Sequence, residues 1–175
     1  MRRIVAGDLT LEPQTAAHAD EMFVVLSDPA IYTWENRPPA SQQSLRGRFT
    51  RLESRRSPDG SEEWLNWVIR LPSSQLAGYV QATVKPDGRA LIAYELSSPH
   101  WGQGIARRAV EAMLEELQTR HGATTLLAIA KAPNARSIGL LRRLGFEDAQ
   151  AAWRERYGVD ADEVLMIREQ ARPLR

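Results

Sequence analysis

The chain has no cysteine. That excludes a disulfide framework, a thiol nucleophile and a thiolate metal site. Its three histidines, His18, His100 and His121, lie far apart and form no metal-ligand spacing, so no metal is expected. Nowhere do 18 apolar residues run together, so neither a membrane span nor a membrane partner is expected. Met1 to Asp8 lacks the apolar centre of a secretory leader, which makes cytoplasmic localisation the expectation. Excess charge is lacking too. Lys and Arg number 23 against 22 Asp and Glu, a net charge of +1, whereas a general nucleic-acid binder carries a marked basic excess. Lysine is nearly absent, with only Lys85 and Lys131 among mostly Arg cations. Six arginines, Arg37, Arg46, Arg48, Arg51, Arg55 and Arg56, crowd one stretch. They read as a solvated helix face or, alternatively, as a patch that draws an acidic substrate or phosphates.

What is present suits a globular protein. With 175 residues, 43% of them apolar, a single domain over 1–175 with a full core is expected. Leu9 to Glu12 reads as the end of a first strand. Thr15 is placed to cap a helix whose apolar face is Ala19, Met22, Phe23 and Leu26, stopped at Asp28-Pro29. Ile31 to Pro39 reads as irregular. Ser41 starts a second helix with Leu45, Phe49 and Leu52 inward, and Ser57 to Gly60 is a turn. Three strands follow: Trp64–Leu71, Leu76–Val84 and Ala90–Leu96, the last two joined by a hairpin at Lys85-Pro86-Asp87-Gly88. A helix from Ile105 to about Thr119 stops near Gly122. Thr124–Ala130 is a continuous apolar strand, as expected where both faces are covered. Asn134–Leu144 is a helix, and Phe146–Trp153 and Val164–Glu169 close the chain as strands. The order predicts an α/β (α+β) fold, a mixed sheet with helices on both faces. The strand–helix–strand unit over 90–130 is expected to be a right-handed crossover.

The chemistry concentrates in Tyr94-Glu95-Leu96-Ser97-Ser98-Pro99-His100-Trp101-Gly102-Gln103-Gly104-Ile105-Ala106. A strand runs through a glycine turn into a helix, and the first helical turn leaves N–H donors unpaired at the positive end of its dipole. Such a turn binds anions, phosphate above all. It is neither a dinucleotide fingerprint, because Arg107 stands where the third glycine belongs, nor a P-loop, because no G-K-[ST] follows. Taken alone it is equally a tight connection without a ligand. One strand later comes Asn134-Ala135-Arg136-Ser137, then Leu144-Gly145-Phe146.

Together the two segments resemble the GNAT superfamily of acyl-CoA-dependent N-acyltransferases, and the Tyr94-Glu95-Leu96…His100-Trp101-Gly102-Gln103-Gly104-Ile105-Ala106 form looks like its RimJ/RimL branch. The resemblance implies a mostly antiparallel central sheet and direct acetyl transfer from acetyl-CoA to a primary amine. The acceptor is then a protein N-terminal α-amine or a small-molecule amine, and a homodimer is an open expectation. The family's phosphate loop has the form Q/R-x-x-G-x-G/A. Trp101 stands in its Q/R place, a departure from the general pattern, while Gly104 and Ala106 match. Gly102, Gln103, Gly104, Ile105, Ala106 and Arg107 would face the pyrophosphate; Arg107 and Arg108 either add phosphate contacts or are simply solvated. Leu96 and Ser98 would offer backbone groups to the pantetheine arm, with a Leu96 N–H polarising the thioester carbonyl. Asn134 would bond the arm, cap the next helix, or do both. Ser137 would protonate the leaving thiolate, although it is equally an exposed helix serine. Glu95 is the candidate base for the amine, or alternatively a structural ion pair. Tyr32, Trp34 and Gln81 are candidates for the acceptor pocket. A non-catalytic acyl-CoA-binding module is the competing reading.

Overall fold

A computed structural model of the protein describes residues 1–34 and 37–169. Its strands are β1 (Ile4–Ala6), β2 (Leu9–Pro13), β3 (Glu63–Arg70), β4 (Leu76–Val84), β5 (Arg89–Leu96), β6 (Thr125–Lys131), β7 (Glu147–Asp148) and β8 (Glu163–Glu169). The helices are α1 (Ala19–Val25), α2 (Gln42–Leu52), α3 (Ile105–Arg120), α4 (Ala135–Arg143) and α5 (Ala151–Tyr157). The eight strands form one sheet in the order β1-β2-β3-β4-β5-β6-β8-β7. Every neighbouring pair is antiparallel except β5 and β6. That single parallel pair follows from the connection between them, since α3 carries the chain back along the sheet.

Helices cover both faces. One core lies under α3 and α4 and includes Leu65, Trp67, Val80, Ile92, Val110, Met113 and Leu141. A smaller one lies under α1 and α2 and includes Met22, Leu45, Phe49 and Val68. Hence the middle of β3 is buried on both sides, Asn66 and Val68 as well as Leu65, Trp67 and Ile69, where alternation alone marked one face. The α3 stripe Ile105, Ala109, Val110, Met113, Leu114 and Leu117 is buried as its spacing predicts. Glu116 is buried beside it, and Arg2 grips its carboxylate with Nε and Nη2 at 2.9 and 2.7 Å, so the buried charge is paired.

Three expectations change. β1 is an additional strand, turned into β2 at Gly7 (φ +67°). The first helix enters through a 3-10 turn, Ala16–His18, which Thr15 precedes. The predicted Phe146–Trp153 strand is the short β7 followed by α5. Ala151 to Tyr157 favours a helix, and Trp153 and Tyr157, four residues apart, stack with centroids 6.1 Å apart. Part of the irregular Ile31–Pro39 segment lies outside the described residues; it begins as the end of a 3-10 turn, Pro29–Tyr32.

Candidate active site

β5 and β6 pair only from Arg89–Leu91 to Thr125–Leu127. Beyond that, β5 runs on to Leu96 and β6 to Lys131 without a shared ladder. The strands therefore splay, and a cleft of about 880 Å³ opens between their ends. On the other side of β5 the pairing with β4 continues through Gly78 and Leu96. Ser97 then donates its N–H to the Ala77 carbonyl at 2.9 Å, so the strand's alternation turns the Leu96 main-chain groups toward the gap.

At the wide end the chain makes a 3-10 turn, Ser98–His100, and then enters α3. Gly102 and Gly104 are both left-handed (φ +74° and +73°), and a Cβ on either would meet nothing within 4 Å. Glycine is needed there for the backbone conformation, and its bareness leaves the loop open. Gly104 is the N-cap of α3 and has no side chain with which to satisfy the first-turn donors, which therefore remain available to an anion. Gly102, Gly104, Ile105, Ala106 and Arg107 line the cleft, as do Leu96 and Trp101. Gln103 does not; its amide donates to the Pro99 carbonyl at 2.8 Å and braces the turn. Ser98 is also off the wall, and its N–H donates at 2.6 Å to Asp28. The Trp101 indole N–H donates to the Leu96 carbonyl at 2.7 Å, while its ring lies 3.5 Å beneath the Arg136 guanidinium of α4. Trp101 is thus a brace between β5 and α4 rather than a phosphate ligand through its side chain.

α4 forms the opposite wall. Asn134 caps it, Oδ1 accepting the Ser137 N–H at 3.1 Å. Ser137 and Asn134 both face the cleft. The Ser137 hydroxyl lies 2.8 Å from the Tyr94 hydroxyl, and burial pushes Tyr94 up to about 12.

Glu95 follows Tyr94 on β5 and so points to the other face of the sheet. It stands opposite Tyr79 and lines the cleft with Gln81 and Trp34. Trp34 is 43% exposed. Tyr32 lies behind this wall, packed on the smaller core, with its hydroxyl bonded to the Leu26 carbonyl at 2.6 Å.

Other charged groups have been assigned partners by the fold. His121 meets Glu63 at 2.6 Å and His18 meets Glu12 at 3.4 Å, and both are part-buried. Among the described residues no group of His, Asp and Glu could hold a metal. Arg108 is drawn away to Asp8 at 3.2 Å, whereas Arg107 stays on the cleft wall with Arg136 and Arg143. Of the six crowded arginines, Arg46 bonds Asp20 at 2.7 Å and Arg56 the Gly60 carbonyl at 3.3 Å; Arg48 lies over Phe49. These are the contacts of a solvated face. Sequence reasoning missed Tyr94 and Asp28. Tyr94 opens the strand–turn–helix motif and Asp28 stands at a helix stop, but only the docking of α4 and of the loop after α1 reveals their contacts.

A sheet splayed between two parallel strands, with a glycine turn feeding a helix at the open end, makes a cleft with an anion-binding end. Residues 8–147 match the model of the acetyltransferase (GNAT) domain, and the chain belongs to that family and is an acetyltransferase. It is 25% identical over 149 residues to the uncharacterized N-acetyltransferase p20 of Bacillus licheniformis, covering 84% of this chain and 83% of that one. It is 28% identical over 121 residues to the ribosomal protein bS18 alanine N-acetyltransferase of Escherichia coli, covering 69% and 75% respectively. Among solved structures, RimL, a ribosomal L7/L12 alpha-N-protein acetyltransferase in complex with coenzyme A, superposes with a TM-score of 0.79 at 18% identity, over 95% of this chain and 97% of that one.

Proposed function

We propose that the protein transfers the acetyl group of acetyl-CoA to a primary amine by direct attack. The observation that carries this is the cleft itself. The splayed ends of β5 and β6 accept a narrow arm, the open glycine loop meets phosphates, and a carboxylate and a hydroxyl stand on opposite sides of the same gap. Glu95 takes a proton from the incoming ammonium, directly or through a water, and frees the nitrogen lone pair. That nitrogen attacks the thioester carbon, and the Leu96 N–H holds the oxygen as it gains charge. As the carbon–sulfur bond breaks, Ser137 gives its proton to the leaving thiolate, and the nitrogen, positively charged since its attack, loses its second proton to solvent and becomes the amide. Asn134 orients the pantetheine arm, and the first turn of α3 with Arg107 holds the pyrophosphate.

Trp34 and Gln81 contact the acceptor. One relative named as a ribosomal protein bS18 alanine N-acetyltransferase and a solved structure named as a ribosomal L7/L12 alpha-N-protein acetyltransferase support a protein N-terminal α-amine as the acceptor, with a small-molecule amine as the second class. A panel of N-terminal peptides and small amines, assayed for free CoA, tests the proposal. The expected result is CoA release that depends on one acceptor class. Should acetyl-CoA raise the melting temperature while no amine releases CoA, the protein is a binding module; should ATP or NAD raise it and acetyl-CoA not, the donor assignment fails.

A further inference from the structure

The Tyr94 hydroxyl reaches a residue of the proposed chemistry. It sits on β5 beside Glu95 but faces the opposite side of the sheet, where α4 docks. Its oxygen lies 2.8 Å from Ser137 Oγ and 3.2 Å from the Ser137 carbonyl. Both contacts fall on one residue, in the first turn of the helix that Asn134 caps through the same residue's N–H. Ser137 is therefore held at its main-chain N–H by Asn134 and at its hydroxyl by Tyr94, whose single proton has Oγ at 2.8 Å as its nearer acceptor and the carbonyl at 3.2 Å as its farther one.

A serine hydroxyl alone rotates among three staggered positions. For Ser137 to act as an acid, its proton must point into the cleft and its lone pair elsewhere. A donor on the protein side of Oγ produces that arrangement. Burial keeps the Tyr94 phenol protonated, with its ordinary value raised to about 12, so it remains a donor across the working pH range.

We propose that Tyr94 is a positioning residue for acetyl transfer: its O–H donates to Ser137 Oγ and turns the Ser137 proton toward the sulfur of the departing CoA. This rests on Ser137 acting as the acid. The proton that reaches the thiolate is the serine's, and Tyr94 supplies the hydrogen bond that steadies the oxygen left behind; serine regains its proton from solvent when CoA departs. The phenol itself gives up no proton.

The test is a double-mutant cycle with Tyr94→Phe and Ser137→Ala, read by kcat, by the KM for acetyl-CoA and by melting temperature. Tyr94→Phe should lower kcat roughly tenfold, a fraction of what a full acid contributes, with KM within about twofold. In the Ser137→Ala background the same change should do almost nothing further, because groups that act as a unit are not additive. Equal losses in both backgrounds would show a packing role and overturn the proposal, as would unchanged kcat in Tyr94→Phe. If Ser137→Ala alone turns over like the wild type, the acid assignment itself fails and this proposal with it. If Ser137→Ala is slow and Tyr94→Phe is not, only the positioning role is lost. Where Tyr94→Phe lowers the melting temperature, the comparison within the Ser137→Ala background cancels that effect and still decides.

Discussion

A Cβ on Gly78 would stand 2.0 Å from the Glu95 carbonyl oxygen and 2.9 Å from the Leu96 Cα. The close approach sits beside a register shift, where Ile69 faces Gly78 but Arg70 faces Leu76, and it lets β4 and β5 draw together behind Glu95 and Leu96, the residues proposed as base and oxyanion donor. Gly78→Ala is expected to cost about 1–3 kcal/mol through overpacking and to lower kcat, because β5 has to shift; chemical denaturation and steady-state kinetics on the same preparation check both effects. Glu95→Gln keeps the shape and removes the base. The acid limb of its kcat/KM–pH profile should disappear, and a profile like the wild type's would leave Glu95 a structural group. The place of Glu95 on the cleft wall agrees with what drew attention to it in the sequence, a carboxylate in an apolar strand that is expensive without a purpose or a partner. Tyr94, its neighbour, was not legible there, since a tyrosine on a strand reads as packing, and only α4 brings a hydroxyl within 2.8 Å of it.

At the scale of elements, α3 is the part most fully written in the chain. Its apolar stripe, its glycine entry and its stop at Gly122 all agree with the structure, because local propensity and core burial demand the same thing there. Gly104→Ala isolates the entry. With φ at +73° and nothing within 4 Å, the substitution is strained through the backbone alone, by about 1–2 kcal/mol. Affinity for acetyl-CoA should fall with it, measurable as a smaller thermal shift on adding the ligand; an undiminished shift would remove the loop from phosphate binding. The ends of the fold were harder to read. β1 has three residues and β7 two, too few for periodicity to register, and each exists because a neighbouring strand offers an edge. α5 was masked by Phe146, whose burial belongs to the turn after α4 and not to a strand. Between elements, Asp28 joins two loops that are far apart in sequence. Its carboxylate accepts the Ala30 N–H at 3.0 Å and the Ser98 N–H at 2.6 Å, tying the loop that carries Trp34 to the turn after β5.

For the whole molecule, charge pairing sets the response to acid. Glu12 takes Arg3 and Arg70 at 3.0 Å each and His18 at 3.4 Å, and Arg70 continues to Glu21 at 3.1 Å. These contacts bind β2, β3 and α1. Burial by itself would raise Glu12, but the hydrogen bond and charge of Arg70, with Arg3 and His18, outweigh it and hold the carboxyl below its ordinary value. Asp28 is lowered as well: burial opposes, and the N–H donors of Ser98 and Ala30 prevail. A carboxylate with a depressed folded value contributes stability that is present above its unfolded value and is lost as pH falls through the folded one. Urea midpoints should therefore hold down to about pH 5 and fall steeply below about pH 4. Glu12→Gln should be less stable than the wild type at pH 7, with the gap closing toward low pH; a constant gap would mean Glu12 contributes packing and not charge. Among the described residues no helix is long and apolar enough to cross a membrane. The sequence alone determined four of the five helices, the long strands, the glycine turn and the Asn134–Ser137 segment, hence the family, because these depend on local propensity and on spacing along the chain. The tertiary structure alone decided where β5 and β6 part, which face each of Tyr94 and Glu95 serves, and that the Ser98 N–H, the Gln103 side-chain amide and the Tyr32 hydroxyl bond within the fold while Arg108 pairs with Asp8. Those outcomes depend on which surfaces meet across the sheet, and residues 43 apart such as Tyr94 and Ser137 meet only after both cores have packed.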